Sequence, residues 1–133
     1  MAIILDADVI IRGEKGTVDL KGWLSGQPDE TFEVAAITVA ELWHGVERAT
    51  APHKNRRMQY LQALLAVLPV RPYTEQTAYE HARIWAKAEA SGVMPGFYDL
   101  IVAATALEHR SPLATFNRRH FTPVPGLTVI EPK

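Results

Sequence analysis

Cysteine is absent from the 133 residues of this chain, which excludes both a disulfide framework and a thiolate metal site. Long apolar runs are absent too, since none approaches the roughly 20 residues that a bilayer span needs. The first six residues, MAIILD, contain no basic leader. We therefore expect no signal peptide, no membrane association and a cytoplasmic location.

An excess of one charge is also missing, because 14 Lys and Arg face 15 Asp and Glu and leave a net charge of −1. No global field therefore favours a nucleic-acid partner, and any contact with phosphate must come from local basic clusters or a bound cation. Two clusters offer either such contacts or ordinary solvated charge: Arg48, His53, Lys54, Arg56 and Arg57; and His109, Arg110, Arg118, Arg119 and His120.

The length suits one domain, 1–133, and its pattern alternates apolar strands with amphipathic helices. Strands are predicted at 2–5, 32–37, 113–115 and 127–130, with at most a short edge strand at 69–72. Helices are predicted near 20–24, from Thr38, across 58–68, from Thr74 to Gly92, and over 98–108. This order predicts an α/β fold with a mostly parallel sheet.

Two helix starts carry sequence signals. Thr38 and Glu41 have the spacing of a capping box, which predicts a helix beginning at Thr38. The helix that Thr74 opens carries Ala78, Ala82 and Trp85, and Trp85 is expected to serve the core or an interface.

Three acids follow or flank strands in this pattern. Asp6 directly follows the first strand, Glu41 lies behind the second, and Asp99 begins the helix that leads into a later strand. Ligands of open parallel sheets bind outside the carboxyl ends of the strands, so the fold can bring these acids to one edge. Clustered carboxylates repel one another, and Mg²⁺ or Mn²⁺ relieves that repulsion and can activate water beside a phosphate.

Each acid also has a purely structural interpretation. Glu41 can serve only the capping box, and Asp99 can serve only a helix amino terminus. Asp6 is harder to explain this way, because an acid next to an apolar strand needs a partner. The joint placement of the three acids favours a metal site.

Four segments resemble motifs of the PIN-domain family, and in particular of VapC-type toxins from bacterial type II toxin–antitoxin pairs. They are the opening strand with Asp6, the T-x-x-E-L-x-x-G pattern with Glu41, the helix with Asp99, and the closing T-x-N segment with Asn117. Each motif is weak alone. All four in order, over nearly the whole chain, form a specific signal.

The resemblance implies a PIN-like three-layer α/β/α sandwich whose five-stranded, mostly parallel sheet is flanked by helices. It implies a Mg²⁺- or Mn²⁺-dependent endoribonuclease that acts on RNA, such as tRNA or rRNA, and is inhibited by a VapB-type antitoxin. A homodimer is common in this family. The implied catalytic residues are Asp6, Glu41, Asp99 and Asn117, and the implied metal ligands are Asp6, Asp8, Glu41 and Asp99.

Two positions depart from the family pattern. Asp8 stands where Asn or Ser is usual, and it would share a side with Asp6 if the strand continued. The closing segment has Asn117 and His120 but lacks the acid that many relatives carry there. A second metal ion is therefore left open.

Two alternatives remain at this point. Asp6 and Asp8 also fit the D-x-D start of haloacid-dehalogenase phosphatases, in which Asp6 would be the nucleophile. Lys87 is available for such an enzyme, but no acidic pair follows it. The other alternative is a PIN-like binding module without catalysis.

Overall fold

The structure is a computed structural model that describes residues 2–133. Its five strands are β1 Ala2–Leu5, β2 Thr31–Ala35, β3 Val70–Arg71, β4 Leu113–Ala114 and β5 Val129–Ile130. Its seven helices are α1 Ala7–Lys15, α2 Leu20–Ser25, α3 Ala36–Arg48, α4 Ala51–Leu65, α5 Glu75–Ser91, α6 Phe97–Glu108 and α7 Arg118–Phe121. The predicted strands are all present, although four of the five are shorter at one or both ends.

The strands form one sheet in the order β3-β2-β1-β4-β5, and every pairing is parallel. The chain builds outward from β1 through β2 to β3, then crosses to the other side of β1 for β4 and β5. The point between β1 and β4 is therefore the topological switch, where open sheets of this kind bind their ligands.

Two hydrophobic cores cover the two faces of the sheet. Ile3 and Leu5 of β1 pack into the core formed with α1 to α4, whereas Ile4 packs into the core formed with α5 to α7. This alternation is what a strand buried on both faces requires. The predicted three-layer α/β/α sandwich with a five-stranded sheet is confirmed.

Helix α1 was not predicted, because Gly13 and Gly16 interrupt a polar stretch. The chain turns into this helix immediately after Asp6, which caps it by accepting a hydrogen bond from the Ala7 amide at 2.9 Å. Gly16 ends it in the left-handed conformation, with φ of 76°. Asp8 therefore lies in the first turn of a helix, and the expectation that it continues the strand is wrong.

The predicted capping box at Thr38 is also wrong. Strand β2 ends at Ala35 and α3 begins at Ala36, so Thr38 lies inside the helix. Its side chain is fully buried, and its hydroxyl has no hydrogen-bond partner among residues 2–133. Glu41 is consequently not a capping residue, which removes its purely structural interpretation.

Helix α5 begins and ends as predicted, with a capping box between Thr74 and Thr77 and a left-handed Gly92. Its buried face consists of Thr77, His81, Ile84 and Ala88. Trp85 is 42% exposed and lies outside the core. Short helix α7 was not predicted. Within residues 2–133, no helix is both long and apolar enough to cross a membrane.

Candidate active site

Asp6 and Thr115 meet at the switch point between β1 and β4. Each directly follows its strand, so the carboxyl ends of the two strands bring them together. The Thr115 hydroxyl donates a 2.7 Å hydrogen bond to Oδ2 of Asp6, and both residues are buried. Oδ1 of Asp6 accepts from the Ala7 amide. Asp6 is therefore fixed in one orientation before any ligand arrives.

Asp8 holds the loop that follows β4. Its Oδ2 accepts a 3.0 Å hydrogen bond from the Phe116 amide, and its Oδ1 lies 3.4 Å from the Thr115 hydroxyl. The Phe116 ring in turn carries the Arg12 guanidinium 4.3 Å from its centroid. Asp8 thus positions the loop as well as adding negative charge next to Asp6.

Glu41 and Asp99 approach the same edge from α3 and α6. Glu41 is half-buried, and its carboxylate is close enough to those of Asp6 and Asp99 to be repelled by both. Oδ2 of Asp99 lies 3.1 Å from Nδ1 of His120, a residue of α7. We call Asp6, Asp8, Glu41 and Asp99 the carboxylate edge.

The pKa values of three of these carboxylates are raised by their surroundings. Burial raises the pKa of Asp6 to about 6, against the lowering effect of the Thr115 hydrogen bond and with the charge of Asp8 raising it further. Burial, together with repulsion from Asp6 and Asp99, raises the pKa of Glu41 to about 7. Burial raises the pKa of Asp8 as well, opposed chiefly by its hydrogen bond from Phe116. Ionising all of these groups requires a compensating positive charge.

Protein cations supply part of that compensation, since the charge of Arg12 lowers the pKa of Asp8. Among residues 2–133, neither Lys nor Arg makes an ion pair with any member of the carboxylate edge, and His120 is the one basic side chain in such contact. Hard carboxylate oxygens are the donors that Mg²⁺ and Mn²⁺ prefer. The residues therefore fit a divalent cation by charge and by donor chemistry.

Their side chains have not converged on a point. Within residues 2–133, no group of three or more His, Asp and Glu side chains is arranged to hold a metal ion. Glu41 is half-buried and Asp99 is partly exposed, so both side chains reach solvent at this edge.

The closing segment contributes through its backbone. The Asn117 amide donates a 3.0 Å hydrogen bond to the Thr115 hydroxyl, while the Asn117 side chain is exposed and makes no capping bond to α7. Thr115 is the first residue of the T-x-N motif, but the motif does not predict that it contacts Asp6. Its position directly after an apolar strand, like that of Asp6, was the signal that could have identified it.

The structure places members of the two basic clusters in separate regions of the molecule. Arg119 and His120 line a cavity of about 220 Å³ beside Asp99. His109 and Arg110 follow the far end of α6. Arg56 and His53 lie with Lys15 around a separate cavity of about 350 Å³ at the far end of α1, which is about 13 Å from Asp6 along the helix. His53, Arg56, His109 and Arg110 therefore lie away from the carboxylate edge.

Comparison with known proteins agrees with this geometry. A family model described as PIN domain matches residues 3–126. The VapC ribonuclease Y4jK of Sinorhizobium fredii is 35% identical over 138 residues, which cover 98% of this chain and 96% of that protein. The chain belongs to the PIN-domain family. The predicted resemblance to VapC-type members is confirmed.

Two further relatives extend the comparison. The tRNA(fMet)-specific endonuclease VapC of Salmonella typhimurium is 29% identical over 96 residues, covering 72% of this chain and 71% of that protein. The solved structure of VapBC2 from Rickettsia felis, bound to a DNA fragment from their promoter, superimposes with a TM-score of 0.93 at 21% identity over 100% of both chains. Membership of the PIN-domain family leaves the dehalogenase-like alternative without support.

Proposed function

We propose that this protein is a metal-dependent endoribonuclease, the toxin of a toxin–antitoxin pair, in which Asp6, Glu41 and Asp99 hold Mg²⁺ or Mn²⁺. The observation that carries the proposal is the carboxylate edge at the switch point of a PIN-domain sheet. Two of its acids have raised pKa values there and no Lys or Arg partner. A binding module without catalysis has no need for such costly charges.

Asp6, Glu41 and Asp99 would hold the cation, which when bound would supply Lewis acidity to activate water and would offset the charge of a phosphate. The protein side chains supply position. Thr115 and the Ala7 amide fix Asp6, while Asp8 holds the neighbouring loop. Asp99 or Glu41 orients the attacking water by accepting its hydrogen bond. The side-chain amide of Asn117, which is exposed, is the proposed donor to a phosphate oxygen, and Asp8 remains a further proposed ligand.

Attack by water at phosphorus determines the products. The phosphate stays on the 5′ end of the downstream fragment, and the 3′ oxygen of the upstream fragment leaves as a hydroxyl, because the neighbouring 2′-hydroxyl does not participate. Arg119 lies beside Asp99 and is the basic side chain best placed to contact the RNA backbone. The substrate proposed is a structured cellular RNA, tRNA or rRNA, and the name of the Salmonella relative favours tRNA. A cytoplasmic location accords with such a substrate.

Identification of the RNA termini tests this function. Purified protein and Asp6→Asn are incubated with total tRNA, with Mn²⁺ or with EDTA. We expect 5′-phosphate and 3′-hydroxyl ends from the wild type with Mn²⁺ alone. Cyclic-phosphate ends, or cleavage undiminished by EDTA and by Asp6→Asn, would contradict the mechanism.

A VapB-type antitoxin is the proposed protein partner. The surface that suits it is a largely apolar groove of about 770 Å³ between α2 and α4, here called the α4 groove. It is lined by Val18, Leu20, Leu24, Tyr60, Leu64 and Val67, among others. Amphipathic helices bind grooves of this kind through apolar side chains at helical spacing.

Charge lies at one end of this groove. Tyr60 lines both the α4 groove and the cavity that contains Lys15, Arg56 and Arg57. An antitoxin segment that leaves the groove past Tyr60 therefore meets positive charge, and acidic residues in that segment would be favoured.

The predicted homodimer has a suitable surface on α5, α6 and the loop that connects them. Trp85, Met94 and Phe97 are 42%, 49% and 61% exposed, and exposed apolar side chains in a cluster are typical of interaction sites. We assign the dimer contact to these three residues. Light scattering of Phe97→Glu should give the monomer mass; a dimer mass for that variant would exclude this surface.

A further inference from the structure

A cavity of about 440 Å³ opens directly beside Glu41. Ile37, Ala40, Glu41 and His44 line it from one face of α3, since their spacing of three, four and seven residues returns to the same side of a helix. Tyr98, from the first turn of α6, lines it from the other side. We call this cavity the base pocket.

The walls of the base pocket combine flat apolar surface with a few polar groups. Ile37 and Ala40 give apolar surface, and Tyr98 gives an aromatic ring that is 52% exposed. Within residues 2–133, neither the Tyr98 hydroxyl nor the His44 imidazole makes a hydrogen bond or ion pair. Such a lining suits a planar heterocycle with hydrogen-bonding groups on its edge.

The base pocket adjoins the carboxylate edge, and this position indicates which ligand binds in it. Glu41 is both a proposed metal ligand and a wall of the cavity. A group bound here therefore belongs to a nucleotide next to the phosphate being cleaved. Bases inside an A-form duplex have both faces stacked and cannot reach an aromatic side chain, whereas bases in loops can.

We propose that the base pocket binds one unstacked nucleobase flanking the scissile phosphate, with Tyr98 stacking on the base and His44 hydrogen-bonding to its edge. This inference rests on the proposed function and deepens it. The substrate must be unpaired at that nucleotide, and cleavage must prefer particular bases at one position. The specificity of the enzyme is then determined partly by two residues outside the carboxylate edge.

Binding measured without cleavage tests the pocket independently of catalysis. Pentanucleotides rA5, rC5, rG5 and rU5 are titrated into the full chain in EDTA. We expect the wild type to prefer one of them. Tyr98→Ala should weaken the preferred complex by about tenfold, since stacking on an aromatic ring contributes on this scale. Tyr98→Phe should retain the affinity, and His44→Ala should reduce discrimination among the four.

A blocking variant and two controls complete the design. Ala40 is exposed to solvent, so Ala40→Leu fills the cavity without disturbing the core and should abolish the preference. Tyr79 and His53 are also exposed and lie outside the pocket, so Tyr79→Ala and His53→Ala should behave as wild type.

Several results would overturn the inference. One is unchanged affinity of Tyr98→Ala and Ala40→Leu for all four oligonucleotides. Another is an equal loss for all four that leaves their ranking intact. A change of Tyr98→Ala from dimer to monomer with the ranking preserved would mean that a second copy covers the pocket. If the wild type fails to cut RNA but still shows Tyr98-dependent preference, the cleavage assignment fails and the base pocket stands.

Discussion

The carboxylate edge contains partly buried negative charge, whereas the α4 groove is largely apolar. At the carboxylate edge, acids from three elements are brought together and partly buried, and the pKa values of Asp6 and Glu41 rise to about 6 and about 7. The α4 groove is lined mainly by apolar side chains, and the charged residues at its end are exposed or paired, as Arg57 is with Glu14 at 3.9 Å.

This difference assigns the two regions to different partners. Buried acids that repel one another are unfavourable until a cation binds, so the proposed ligand would stabilise the carboxylate edge. An apolar groove is stabilised by burying its surface against another protein. Variants in one region should therefore leave the function of the other intact, and the predictions below test that separation.

Loss of a carboxylate should have the largest effect. Glu41→Gln removes one proposed ligand, and we expect RNA cleavage to fall by about 10³-fold, since a catalytic cation contributes several kcal/mol. Antitoxin binding should be unchanged. Glu47→Gln is the matched control on the same helix, because Glu47 is exposed. Equal activities of the two variants would remove Glu41 from the site.

The stability of the metal-free protein should decrease as pH rises. The folded state raises the pKa of Asp6 from 3.8 to about 6 and that of Glu41 from 4.5 to about 7. Folding therefore favours the protonated acids, so their stabilising effect is complete below about pH 4 and is lost as pH rises through 6 to 7. At about 1.4 kcal/mol for each tenfold change in proton affinity, Asp6 accounts for about 3 kcal/mol.

Thermal unfolding in EDTA at pH 5 and pH 8 measures this loss. Asp6→Asn should lose less stability over that range than the wild type, because its amide does not ionise. Parallel losses in the two proteins would show that Asp6 is not responsible. The groove variants described below should follow the wild type.

Removal of the Thr115 hydroxyl should have an intermediate effect. Thr115→Val keeps the shape but deletes the donor to Asp6 and the acceptor for the Asn117 amide. Partners that orient metal ligands typically contribute 10–100-fold, so we expect cleavage to fall by about 30-fold. Thr105→Val is the matched control, since the hydroxyl of buried Thr105 bonds, among residues 2–133, only to the Ile101 carbonyl. A loss of similar size in both variants would indicate a general packing defect.

A substitution in the α4 groove should have the smallest effect, and it should weaken antitoxin binding rather than RNA cleavage. Ala63 lines the groove and Ala66 does not, although both are exposed near the end of α4. Ala63→Asp places a charge on the apolar surface and should weaken binding of the neighbouring-gene antitoxin by about tenfold, with cleavage unchanged. Ala66→Asp should bind normally. Equal binding by the two variants would exclude the groove as the docking surface.

Local sequence patterns predicted the elements that buried apolar residues determine. Strand β1 and helix α6 were placed within about a residue, and with them Asp6 and Asp99. The errors occurred where tertiary packing decides. Thr38 and Glu41 have the spacing of a capping box, yet β2 stops at Ala35 and the helix starts earlier. The spacing of Thr38 and Glu41 alone cannot show whether these residues lie in the first or the second turn of the helix.

The contacts around Asp6 were beyond such patterns. Thr115 is 109 residues away in sequence, and only the pairing of β1 with β4 brings it to Asp6. The role of Asp8 depended on where the strand ends, because the start of α1 turns its carboxylate to the Phe116 amide. On α5, the spacing of Ala78, Ala82 and Trp85 indicated a face but not which of two adjacent faces is buried.

The central claim is that a divalent cation binds the carboxylate edge, and Mn²⁺-dependent stability tests it most directly. Melting temperatures of the wild type, Asp99→Asn and the exposed-residue control Asp29→Asn are measured across a Mn²⁺ titration. We predict that the wild type and Asp29→Asn gain about 2.7 kcal/mol at 100 times the dissociation constant. Asp99→Asn should start from a higher stability, because repulsion is relieved, and should lose most of the gain. Identical responses of the wild type and Asp99→Asn to Mn²⁺ would contradict the account.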